Sequence, residues 1–134
     1  MQQQKLLVTN NPLASQMIKE QELSGSLTLD FVYGDFVAVL AHIRDLVHQG
    51  AVLLTHPLSG SVKPKETPYK SVLLARPKSS AKVDERSLEL IEQAQATTKK
   101  FVDRTDSYQE AVLNDFQLID WQLIKNALVS AELL

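Results

Sequence analysis

Not one cysteine occurs among the 134 residues. That absence excludes disulfides, thiolate nucleophiles, iron–sulfur ligation and every cysteine-based zinc site. Long apolar runs are missing too. The densest, Phe36 to Ala41, falls far short of the ~20 residues a bilayer-spanning helix needs. Leu6-Leu7-Val8, behind the N-terminal glutamines, is too brief for the apolar region of a signal peptide. Cytoplasmic placement, away from membranes, is expected by elimination. Internal repeats are absent as well. With 44% hydrophobic and 22% charged residues, the composition is that of a folding chain rather than a disordered one. The length suits a single domain spanning residues 1–134.

Charge is nearly balanced at −2, which argues against a nucleic-acid binder, but it is unevenly placed. Residues 63–82 carry Lys63, Lys65, Lys70, Arg76, Lys78 and Lys82 against the lone acid Glu66. From residue 83 onward, five basic side chains face ten acidic ones. A basic loop on an acidic body can hold a local anion despite the overall sign.

Periodicity predicts an α/β order. Lys5 to Thr9 reads as a first strand, ended by Asn10-Asn11-Pro12, with a helix over Pro12–Gln21. Leu27 to Val32 alternates as a strand does. Asp35 is placed to cap a helix with the stripe Phe36, Val39, Leu40, Ile43 and Val47, closed by Gly50. Strands are expected over Ala51–Thr55 and Tyr69–Ala75, separated by a long loop, His56 to Pro68. Asp84 caps a helix whose inner stripe runs from Leu88 to Val102, stapled by Val83 and Leu88. A shorter helix is expected around Tyr108–Phe116, then a last one capped by Asp120 and stapled by Ile119 and Ile124. The expected architecture is a mostly parallel sheet of about four strands with flanking helices, in two or three layers. The helices from about residue 84 pack on that sheet, and the fourth strand is free to run either way.

Ligands of parallel α/β sheets collect beyond the strand carboxyl ends. That rule gathers Thr9-Asn10-Asn11, Tyr33-Gly34-Asp35 and the segment Thr55 to Ser61. The loop is the densest polar stretch, with His56, Ser59, Ser61, Lys63, Lys65, Thr67, Tyr69 and Lys70. Gly60 between two serines can offer backbone N–H groups to a phosphate or carboxylate, with Lys63 for charge. Asn10 and Asn11 add amides able to donate and accept. The expected ligand-binding set is Asn10, Asn11, His56, Ser59, Gly60, Ser61 and Lys63. An alternative reading is catalytic, a hydrolase or group-transfer enzyme using His56 as base with Ser59 or Ser61 as nucleophile. Against both stands a plain loop stiffened by Pro57, Pro64 and Pro68. His42 and His48 are six apart on one helix and share no face, so no metal site is expected, nor any cofactor.

Thr9 to Leu13, the block Leu53 to Val72 with its His56-Pro57-Leu58-Ser59-Gly60-Ser61 core, and Asp115 to Asp120 together resemble the GrdX family. Those small proteins are encoded beside the glycine, sarcosine and betaine reductase components of amino-acid-fermenting anaerobes. The resemblance implies an accessory role in that system and glycine reductase components as partners. It carries no catalytic residues across. A third reading follows from it, a non-catalytic assembly partner meeting a basic surface through Glu89, Glu92, Asp106 and Glu110. Homo-oligomerisation is left open.

Overall fold

Two segments of the chain are apolar on consecutive positions, a pattern stable only where both faces of a sheet are covered. They form the central strands of the computed structural model, which describes residues 4–21, 27–60, 62–76 and 82–134. Strand β1 is Gln4–Thr9 and β4 is Ser71–Arg76; β2 is Leu27–Phe31 and β3 is Val52–Leu53. The sheet order is β2-β1-β4-β3.

Because side chains alternate across a strand, β1 and β4 feed two cores. Leu6, Val8, Val72 and Leu74 meet helices α2 (Phe36–His48) and α3 (Glu85–Thr98) on one face. Leu7 and Leu73 meet α1 (Pro12–Glu20) and α4 (Glu110–Ser130) on the other. The result is three layers, helices on both sides of one sheet.

The sheet is mixed, which corrects the expectation of mostly parallel strands. β1 and β2 run parallel, but β4 is antiparallel to both its neighbours, β1 and β3. The physical reason is the connection. A parallel return from β3 needs a crossover, usually helical, and the proline-rich segment between β3 and β4 shows no helix among its described residues, so β4 comes straight back. β3 is also shorter than expected. The N–H groups of both Leu54 and Thr55 converge on the Leu73 carbonyl (2.9 and 3.3 Å), and the Thr55 hydroxyl accepts from Leu73 N, which ends the regular ladder.

Two expected caps are present, Asp35 accepting from Ala38 N and Asp84 from Ser87 N. Asn11, expected only as a turn and ligand-contact residue, caps α1 by accepting from Leu13 N. Gly50 sits at φ 102°, the left-handed region that glycine reaches without strain. Helix α3 stops at Thr98, short of the expected Val102; the Thr98 hydroxyl bonds back to Ala94 O, and Val102 is 75% exposed. The largest correction is at the C-terminus. One continuous helix runs from Glu110 to Ser130, and Asp120 lies in its middle, buried, rather than capping a separate helix. No glycine or proline interrupts residues 108–130, so nothing stops the helix. Ser24-Gly25-Ser26, between α1 and β2, and residues 77–81, after β4, fall outside the described residues.

Candidate functional site

β1, β2 and β3 point the same way, so their carboxyl ends share one edge, and β4 begins there. The Asn10 amide donates to Gly34 O (3.0 Å) and Pro68 O (2.8 Å), while its oxygen accepts from Lys70 N (2.9 Å). One side chain thus ties the end of β1 to the link before α2 and to the segment leading into β4. Asn11, fully buried, caps α1 and donates to Gln117 O and Asp120 Oδ2. Both asparagines belong to the framework. Their described polar groups are committed to protein partners rather than turned toward a ligand.

A directed relay runs beneath them. Asn11 N–H donates to Thr9 Oγ1, and the hydroxyls of Thr9 and Ser71 lie 2.6 Å apart. Ser71 Oγ donates to Asp120 Oδ2 at 2.6 Å, so the proton of the Thr9 hydroxyl must point at Ser71. Ser71 N–H adds a bond to Asp120 Oδ1 at 3.1 Å. Asp120 therefore faces three donors, an arrangement suited to the ionised carboxylate, which only accepts. Chains that donate in one direction polarise each other and hold a unique geometry.

Beside this carboxylate lies Lys70, 8% exposed. Burial pushes its ammonium below the ordinary lysine pKa, and the charge of Asp120 offsets part of that fall. The hydrogen bond found for Lys70 is that of its backbone N–H. Its ammonium takes part in none of the three ion pairs among the described residues. Every buried side-chain nitrogen and oxygen among those residues has a partner, so the ammonium must be reached from open space. That space is a cleft between the loop and α4. A tight apolar recess of about 20 Å³ under Tyr69, Phe116 and Ile119 has room for roughly one water. An adjoining cavity of about 190 Å³ is bordered by Thr55, His56 and Leu58. Ser59, Lys70, Asp120 and Leu123 line both.

The loop is held against α4 and the residues just before it by bonds distant in sequence. Tyr108 Oη donates to Glu66 O at 2.7 Å, and Gln117 Nε2 to Tyr69 Oη at 2.9 Å. Tyr108 also stacks on Phe116, with ring centroids 5.5 Å apart. Buried Thr67 accepts from Tyr69 N and turns the chain locally.

The model of the GrdX-like protein family matches residues 6–129. The chain belongs to the GrdX-like family. No curated protein and no solved structure matches it. In this GrdX-like protein, His56 and Ser59 from the sequence-derived set border the cleft. The His56 ring, exposed, accepts from Leu58 N at 3.0 Å. Gly60 is exposed with open space about it, Ser61 lies outside the described residues, and Lys63 lines a separate recess against the end of α3. Sequence reasoning missed Asp120 and the Thr9–Ser71 pair, and passed over Lys70 within the loop. The available signals were an acid set between Ile119 and Trp121 on an unbroken helix, and a lysine directly preceding a fully apolar strand. His42, read from sequence only as a lone helix residue, pairs with Asp30 at 2.7 Å across α2 and β2.

Proposed function

We propose that this GrdX-like protein is a binding module for a small carboxylate with an apolar body, seated in the cleft between the loop and α4. The observation that carries this reading is Lys70, a largely buried residue whose ammonium lies outside every described ion pair and borders open space. A buried cation lowers stability unless something charged completes it. Asp120 does so only in part, since its oxygens are engaged by Ser71 and Asn11. Apolar walls from Leu58, Phe116, Ile119 and Leu123 favour a hydrocarbon or aromatic body over a bare ion. A monoanion also meets less repulsion from Asp120 than a phosphate dianion would. Metabolically, we place this ligand beside the reductase system that the family resemblance implies.

Calorimetric titration with acetate, butyrate and hexanoate at neutral pH tests it. Affinity should rise about fourfold for each added methylene that is buried, following ~0.8 kcal/mol per CH₂. Lys70→Met should abolish binding of all three while the protein stays folded. Equal, weak binding along the series, unchanged by Lys70→Met, would refute the reading.

The assembly reading draws on a different observation. Val112, Ile119 and Leu123 recur at helical spacing on α4 and are each about 40% exposed (39, 39 and 42%), an uncovered apolar row beside the cleft. Co-purification from the native host with reductase components, lost on Ile119→Asp, is the outcome that would favour it.

A further inference from the structure

We infer that the protein carries a second anion site, for a phosphate-bearing small molecule, in the recess between residues 63–66 and the segment that follows α3. The recess is about 340 Å³ and is walled by Lys63, Lys65, Lys100 and Arg104, with the single carboxylate of Glu66. None of the four cations belongs to an ion pair among the described residues. Asp103 stands close enough for Lys65 to act on it electrostatically, and its Oδ1 accepts from both the N–H and the hydroxyl of Thr105. Four basic residues border one hollow of a chain whose net charge is −2, a local excess of positive charge that suits a multivalent anion. Arginine adds a planar fork matched to phosphate oxygens.

An independent observation comes from the backbone. Lys65 is held at φ 65°, the left-handed region that a lysine enters only under strain. The strained turn is locked on both sides, by Glu66 N–H donating to Lys63 O and by Tyr108 Oη donating to Glu66 O. Glycine or asparagine would suit that conformation better; a lysine there keeps a cation on the wall of the recess. The ligand is small rather than a nucleic acid, because a chain of net charge −2 disfavours a long polyanion.

Inorganic pyrophosphate titrated calorimetrically at low salt is the probe. Wild type should bind with an affinity that falls as salt rises. Lys65→Gly should raise the melting temperature while weakening pyrophosphate binding about fivefold, and Lys65→Asn, which tolerates the same backbone, should weaken it equally. A Lys100→Gln, Arg104→Gln double variant should weaken it at least tenfold further. Lys70→Met should leave it unchanged, which separates this site from the cleft. Three outcomes would overturn the inference: no binding of pyrophosphate at low salt, a Lys65→Gly protein that melts higher with unaltered affinity, or a single-stranded oligothymidylate binding more tightly than pyrophosphate.

Discussion

Lys70 is only 8% exposed as a residue, and the hydration its side chain loses on burial is offset only in part by the charge of Asp120. Since burial lowers its pKa, the unfolded chain holds more protons than the native one between that lowered value and the ordinary lysine range. Stability should therefore rise with pH through that alkaline window. The cost is fully present below the native pKa and gone above the unfolded one. The groups bordering Lys70 in the cleft are Asp120 from α4, with Tyr69 and His56 from the loop. Lys70→Met should flatten the alkaline slope and add on the order of 1 kcal/mol at neutral pH, because Asp120 keeps its three donors. Urea unfolding of both proteins across the alkaline range would check this. A variant that is less stable at every pH would show that the pair, not the ligand site, explains the lysine.

Among the elements, α2 depends on a close approach at its entry. A Cβ built on Gly34 would lie 2.7 Å from the Ala38 Cβ, a distance that requires one of them to move. Ala38 sits in the first turn of α2, whose N–H is taken by Asp35, and the Gly34 carbonyl accepts from Asn10. Neither side can yield freely. Gly34→Ala should cost about 1–3 kcal/mol, as overpacking does, read as a lower urea midpoint with an unchanged slope. Helix α4 shows the same dependence on distant partners. Its length was hidden because Asp120 looks like a cap when only its neighbours Ile119, Trp121 and Ile124 are considered, whereas its real partners, Ser71 and Asn11, are 49 and 109 residues away.

For the molecule as a whole, Asn10 is the joint at which β1, the entry to α2 and the segment before β4 meet. Removing it leaves two carbonyls and the Lys70 N–H without their partner in a largely buried place. Asn10→Ala should cost about 2–4 kcal/mol and speed hydrogen exchange at the Lys70 amide more than at core amides such as Leu7 or Leu73. Uniform loss of protection would mean that the asparagine contributes to global stability without specially holding the cleft.

The sequence alone determined what depends on near neighbours. Asp35 and Asp84 as caps, Gly50 as a helix terminator, the α2 stripe and the apolar runs of β1 and β4 all follow from spacing within a few residues, where the physics is local. The shared edge of the strand ends was legible in the same way, from the order of elements. Tertiary structure decided the rest. It reversed β4, because a loop of that length permits either direction and only pairing with β1 on one side and β3 on the other selects one. It turned Asn10 and Asn11 from candidate ligand contacts into framework, set Lys63 apart from them, and brought Lys70 and Asp120 together across 50 residues of chain. A buried charge is recognisable only by what surrounds it, and those surroundings are assembled by folding from segments that share no local pattern.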